Sequence, residues 1–227
     1  PDSPPGTTDT PPTDPTGDLG VAGEEGAETL SPQQIAVARF HLLLQALGLP
    51  AELVPPILDW LDADSETRFP NGAEDEYYTR LDEPYRAANG RFADVSELRL
   101  VRGMTPEFYA KLAPFVTVLD NAVPLNVNTA PAELLMSIGP GIDRATADLL
   151  VSSRQVQAMT ELTMWLRHPL LVGRPLLQAG LATRSSLFEL RTRIDSDELP
   201  SFRRSLIERT APNRLRVIRR ERHYTDG

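Results

Sequence analysis

The sequence has 227 residues and a formal net charge of −9, because 32 aspartates and glutamates outweigh 23 lysines and arginines. A negative balance of this size opposes attraction of the whole molecule to nucleic acid or anionic lipid. The chain has no cysteine, which excludes disulfides and thiolate-bound metals. Hydrophobic residues make up 41% of the sequence, enough for at least one buried core, yet they never form a run of 18 that could span a membrane.

The first 30 residues are rich in proline, threonine, glycine and acidic residues, with little to bury. This composition predicts a disordered linker. A helix is predicted to begin after Ser31, because Pro32 suits the first helical position and Gln34 can complete a capping box with Ser31. The next helix is predicted from Ala51 to about residue 62.

The second predicted helix leads into the most acidic stretch of the chain. Between Asp62 and Glu83 there are eight carboxylates and only two arginines, a surplus of six negative charges in 22 residues. Two like charges about 5 Å apart repel by roughly 0.8 kcal/mol even in water. A compact loop of this composition needs either full solvation or a bound cation, and we favour the cation.

Several short helices are predicted after the acidic stretch. Helix starts are predicted at Asp94 and Thr105, and residues 115–119 are predicted to form a short strand or an extended link. Two helices then flank the glycine-rich turn at 139–141, the first of them capped by residues 128–131. Two short helices joined by such a turn predict a helix-hairpin-helix.

The pattern changes after residue 183. Apolar and polar residues alternate over 186–194, which is the period of a β-strand. Two more strands are predicted over 201–210 and 214–220. The sequence therefore predicts an α+β protein, with a helical part over 31–182 and strands within 183–227. Because a three-stranded sheet needs a cover for its apolar face, an N-terminal helix missing from this sequence is a natural inference.

Four motifs in this chain resemble one known family. They are DWLDAD, GAEDEYY, PYRAANGRFADVSELRLVRGMTP and LNVNTAPAELL. They occur in the order and spacing of the type II secretion system minor pseudopilin K, or general secretion pathway protein K, with a strong match over about 58–135. The resemblance implies a mainly helical domain, containing the helix-hairpin-helix, inserted into a truncated pilin-like antiparallel sheet.

The same resemblance implies a structural function rather than an enzymatic one. Family members cap the tip of the secretion pseudopilus together with minor pseudopilins I and J, and the assembly exports folded proteins across the outer membrane. Minor pseudopilin H and the secreted exoproteins are further candidate partners. Since family members are anchored in the inner membrane by an N-terminal helix that this sequence lacks, the fragment is expected to be a soluble, periplasmic part of the protein.

The resemblance also implies that the loop at the start of this acidic stretch, residues 62–76, binds calcium; we call it the acidic loop. The candidate ligands, all within matching motifs, are Asp62, Asp64, Glu74, Asp75 and Glu76. Calcium takes six to eight oxygen ligands at about 2.3–2.6 Å, which carboxylates and loop carbonyls can supply. The loop is not an EF-hand, because counting from Asp62 puts Thr67 at the glycine position and Ala73 at the bidentate glutamate position. A solvated acidic face is the alternative interpretation.

A nucleic-acid-binding module is the alternative function. The hairpin resembles the helix-hairpin-helix of DNA-binding proteins, in which turn amides and a helix N-terminus hold a phosphate. Its two arginines, Arg144 and Arg154, are offset by nearby aspartates, so we expect a packing role for it. The three histidines are isolated from other ligands, and nucleophile or phosphate-loop motifs are missing from the sequence, so neither a zinc site nor an enzyme is predicted.

Overall fold

The computed structural model describes residues 30–195, 200–211 and 213–223. The helices of its first half are α1 (Pro32–Ala46), α2 (Val54–Leu61), α3 (Asp75–Tyr78) and α4 (Pro106–Leu112). Single 3₁₀ segments lie at Ala51–Leu53, Val95–Leu100 and Ala113–Phe115. The second half contains α5 (Ala132–Met136), α6 (Arg144–Val156), α7 (Leu162–Leu166), β1 (Leu125–Asn126), β2 (Leu181–Ala182), β3 (Leu187–Ile194), β4 (Ser201–Ala211) and β5 (Arg214–His223). The predicted linker falls on residues outside the described ranges, apart from Leu30.

Local side chains fix the start of α1 as the sequence predicted. Ser31 Oγ accepts a hydrogen bond from the Gln34 amide at 3.2 Å, and Gln34 Oε1 accepts one from the Ser31 amide at 2.7 Å. This capping box satisfies two amides that would otherwise have no partner at the helix end. Gly48 ends the helix region with a φ of 63°, a left-handed conformation that glycine adopts without strain.

The first hydrophobic core lies between α1, α2, α3 and α4, and Trp60 is at its centre. Trp60 is 3% exposed and packs edge-to-face on Tyr78 with ring centroids 5.3 Å apart. It also stacks on Phe92 at 6.2 Å. Such aromatic pairs contribute about 0.5–1.5 kcal/mol each beyond the area they bury. This cluster holds α2 and α3 in fixed positions, and therefore also both ends of the acidic loop that connects them.

A second hydrophobic core is formed by α5, α6 and α7 with the short parallel pair β1–β2. Residues 128–131 precede α5 as predicted, but the N-cap residue is Pro131, whose side chain cannot accept a hydrogen bond, so the cap involves no side chain. Asn128 instead donates to the carbonyls of Met159 (2.8 Å) and Thr183 (2.9 Å) and accepts from the Met159 amide (3.0 Å). It thereby joins three separate segments, while the assignment of this hairpin as a helix-hairpin-helix stays a prediction.

The C-terminal strands form the predicted antiparallel sheet, in the order β3-β4-β5. One face, with Glu189, Leu206 and Arg219, lines a cleft against the helical part. The opposite face carries exposed apolar side chains, among them Leu190 (50% exposed) and Val217 (45%). The structure therefore mixes helices with a three-stranded antiparallel sheet, and the division of the chain at residues 30 and 182 stays a prediction. Within the described ranges, none of the helices has the length and apolar character needed to cross a membrane.

Candidate cation site

The acidic loop connects the end of α2 to the start of α3. Asp62 follows the last residue of α2 in an extended conformation, and Glu74 is the N-cap residue of α3. Because the hydrophobic core holds both helices, the two ends of the loop return to the same place. Carboxylates that are 12 residues apart in the sequence can therefore meet.

An ion pair beneath the loop fixes its course. Asp59, on α2, is fully buried. Its carboxylate accepts a hydrogen bond from the Arg68 backbone amide at 3.2 Å and another from the Arg68 guanidinium at 2.8 Å. The same guanidinium also binds Asp62. One arginine thus ties the middle of the loop to two carboxylates at its base.

Gly72 closes the loop where it crosses this ion pair. The Gly72 amide donates to the Arg68 carbonyl at 2.6 Å. A Cβ atom at position 72 would lie 2.2 Å from Asp59 Oδ2 and 2.5 Å from the Arg68 backbone nitrogen. Such contacts are far inside van der Waals separation, so this close approach of backbone to side chain requires glycine.

Three of the five predicted ligands come together above the ion pair. Asp62, Asp64 and Glu74 each place one carboxylate oxygen within 4.8 Å of the others. Glu74 is 3% exposed, and neither of its carboxylate oxygens has a hydrogen-bond partner. Asp62 Oδ1 is likewise buried without one. Buried carboxylate oxygens without partners are costly and rare in folded proteins, so either protonation of Glu74 or a bound cation would relieve this arrangement.

The electrostatics of Glu74 reflect this arrangement. Its burial, together with the charges of Asp59, Asp62, Asp64 and Asp75, raises the pKa of Glu74 from 4.5 to about 7. Desolvation is the largest cause, because it disfavours the charged form of a carboxyl group, and the nearby negative charges add to it. A cation bound beside Glu74 would favour the charged carboxylate and would therefore lower the pKa of Glu74 again.

Asp75 and Glu76 have other partners. Asp75 Oδ1 accepts a hydrogen bond from the Ala87 amide at 2.9 Å, and its second oxygen lies 3.8 Å from the Arg86 guanidinium. Glu76 forms an exposed ion pair with Arg80 at 2.5 Å. The structure does not bring these two side chains into the cluster, and their role as ligands stays a prediction.

The cluster fits a hard divalent cation such as calcium. Two oxygens that are each about 2.4 Å from one ion are at most about 4.8 Å apart, and the three carboxylate oxygens lie within 4.8 Å of one another. The donors are carboxylate oxygens, the ligand type that calcium prefers, and nitrogen or sulfur ligands are not part of the cluster. Loop carbonyls and water would complete the coordination shell.

Asp59, Arg68 and Gly72 were not predicted from the sequence as parts of the site. Asp59 immediately precedes a core tryptophan on a helix, which was the available sign that its carboxylate is buried. Arg68 is one of only two arginines in the acidic stretch, so it was the natural counter-ion for such a group. These three residues support the loop from below and do not reach the cluster as ligands.

The charged side chains of the hairpin around residues 139–141 form ion pairs and hydrogen bonds with other residues of this chain. Arg144 pairs with Glu133 at 2.7 Å and with Asp148 at 3.0 Å. The N-terminus of α6 is capped by Asp143, which accepts from the Thr146 amide at 2.8 Å. A carboxylate therefore already lies where a phosphate would have to bind, which disfavours nucleic-acid binding by this hairpin.

Two family models match this chain, and both are described as type II secretion system (T2SS), protein K. One matches residues 20–121 and the other matches residues 125–184, so that together they cover more than half of the chain. The chain belongs to the type II secretion system protein K family. The first match contains the acidic loop and the first core, and the second contains the hairpin.

Individual proteins of this family are similar over most of the chain. The type II secretion system protein K of Pseudomonas aeruginosa is 31% identical over 212 residues, covering 92% of this chain and 62% of that protein. The protein K of Aeromonas hydrophila is 31% identical over 213 residues, covering 88% of this chain and 63% of that protein. The chain thus spans slightly less than two thirds of these relatives.

The fold is similar to one determined by crystallography. A chain in the crystal structure of the GspK–GspI–GspJ complex from the enterotoxigenic Escherichia coli type 2 secretion system matches with a TM-score of 0.70 and 26% sequence identity. The match covers 84% of this chain and 70% of that one. The arrangement of helices and antiparallel sheet is therefore that of a protein K structure.

Proposed function

We propose that this chain is part of a minor pseudopilin that caps the tip of the type II secretion pseudopilus together with minor pseudopilins I and J. Membership of the protein K family supports this role, and the similar solved structure is that of a complex with GspI and GspJ. The contribution to secretion is structural: the helical part forms a bulky cap, and the assembled tip helps to drive folded proteins across the outer membrane. Minor pseudopilin H and the exported proteins are further partners under this proposal.

The exposed face of the β3–β5 sheet offers a surface on which a further element could pack. Phe188, Leu190 and Val217 are between 38% and 50% exposed on this face. A helix that packs on them would bury apolar area worth roughly 25 cal/mol per Å². We propose that an N-terminal helix provides this cover and anchors the protein in the inner membrane, with the described residues on the periplasmic side.

Calcium is the cation that we propose for the acidic cluster. Asp62, Asp64 and Glu74 would hold it, and the ion would neutralise carboxylates that otherwise repel one another around the buried Glu74. Held in this way, the loop would join α2 and α3 firmly and stiffen the helical part from which the cap is built. Calcium titration of the metal-free protein tests this proposal.

Assembly with the other minor pseudopilins tests the proposed function. The chain should be mixed with the purified soluble domains of pseudopilins I and J from the same organism and analysed by size-exclusion chromatography. We expect all three to elute together as one complex. Elution of the chain by itself in every mixture would overturn the proposal, and binding to duplex DNA at low salt would then favour the alternative nucleic-acid function.

A further inference from the structure

An apolar groove of about 260 Å³ lies on the helical part. Its walls come from α1, α2, the 3₁₀ segment Val95–Leu100 and the extended segment 116–118. Its lining contains no charged residue and includes the apolar side chains of Val37, Phe40, Leu58 and Leu98. Water filling this volume would amount to roughly nine molecules, and the apolar walls would offer them few hydrogen bonds.

One wall of the groove is an extended stretch of backbone. Val116 has φ −125° and ψ 155°, which are strand angles. Within the residues that the structure describes, residues 116–119 belong to neither a helix nor a strand, and their amides and carbonyls form no hydrogen bonds with other backbone groups. Unpaired backbone amides and carbonyls of this kind are the property of an exposed strand edge.

The segment is nevertheless held in place and suited to strand pairing. Phe115 and Val116 pack against the first hydrophobic core, which fixes the position of the backbone. Valine and threonine, which favour strands, occupy residues 116–118. The sequence predicted either a short strand or an extended link over residues 115–119; Phe115 belongs to a 3₁₀ segment, and a link that starts with strand angles at Val116 follows it.

We infer that this edge and groove bind an extended, uncharged, apolar segment of a partner protein by strand addition. The partner segment forms main-chain hydrogen bonds with residues 116–119, and its apolar side chains at alternate positions enter the groove. A segment with strand geometry matches the groove better than a helix does, because a helix satisfies its own backbone groups and would leave those of residues 116–119 unpaired. The uncharged lining excludes a charged segment, since a charge placed in this groove would lose its hydration without gaining a counter-ion. This inference does not depend on the proposed role in secretion.

A short peptide tests strand addition directly. The probe is a capped hexapeptide of alternating valine and threonine, titrated into the isotopically labelled full chain and followed by nuclear magnetic resonance of the backbone amides. We expect saturable binding, with the amides of alternate residues within 116–119 becoming protected from exchange. The same peptide N-methylated at alternate positions on its pairing edge should bind at least ten-fold more weakly, because it cannot form the main-chain hydrogen bonds.

Matched variants separate groove binding from non-specific association. Ala36, an exposed residue of α1 that lines the groove, is replaced by tryptophan to fill it, and we expect at least ten-fold weaker binding. Ala110, an exposed alanine of α4 outside the groove, is replaced in the same way and should leave binding unchanged. Absence of binding to the wild-type chain, or equal binding of the N-methylated peptide, or unchanged binding to Ala36→Trp, would overturn the inference.

Discussion

Replacing Arg68 with alanine is expected to lower the free energy of unfolding by about 1–3 kcal/mol in the metal-free protein. The reason is that Asp59 is fully buried and would lose the guanidinium that neutralises it. Removing one partner of a fully buried ion pair typically costs about 3–5 kcal/mol, and the cost here is smaller because the Arg68 side chain is 41% exposed and water screens the pair. Urea unfolding in the presence of chelator measures the effect.

Arg80→Ala is the matched control for this experiment. Arg80 pairs with Glu76 on the surface, where both side chains are more than 70% exposed, and exposed pairs contribute at most about 1 kcal/mol. If Arg68→Ala destabilises the protein no more than Arg80→Ala does, the ion pairs of Arg68 with Asp59 and Asp62 do not hold the loop in place.

Glu74 is expected to make the stability of the metal-free protein depend on pH. Its pKa is raised from 4.5 to about 7, so between these values the folded chain binds a proton that the unfolded chain has released. The free energy of unfolding therefore falls as the pH rises through this window, by up to about 3 kcal/mol. The contribution of Glu74 to stability is fully present below a pH of about 4.5, the pKa of the unfolded chain. Unfolding in urea at pH 5 and pH 8, with chelator present, measures this fall.

Glu74→Gln is expected to reduce this pH dependence, because the amide fills the same space without a charge. In chelator at pH 8 the variant should be more stable than the wild type, and in excess calcium the order should be reversed, because the variant has lost a ligand. Glu76→Gln, at an exposed and paired position, should behave like the wild type in both conditions. A wild-type protein with equal stability at pH 5 and pH 8 in chelator would contradict the electrostatic account of this site.

The parts of the fold that depend on neighbouring residues could be predicted from the sequence. The start of α1 follows from Ser31 and Gln34, which bind each other across one turn. The strands follow from alternation along a few residues at a time, as in β3. Asn128 shows the limit of this approach, because its partners at Met159 and Thr183 lie 31 and 55 residues away and no local pattern indicates them.

The candidate site shows the same limit at closer range. Asp62 and Asp64 are two residues apart in the bend that follows α2, and the structure brings both into the cluster. Glu74, Asp75 and Glu76 are consecutive at the start of α3, where successive side chains point in directions about 100° apart. Only the first of these three reaches the cluster, and composition does not distinguish them.

Titration calorimetry with calcium tests the central claim most directly, namely that the acidic loop is a built cation site. We expect the metal-free chain to bind calcium saturably. Binding should be at least ten-fold weaker for Asp64→Asn and unchanged for Asp82→Asn, which alters an exposed carboxylate of the same acidic stretch outside the cluster. Absence of calcium binding to the wild-type chain, or equal affinity in all three proteins, would contradict the claim and indicate a solvated acidic surface instead.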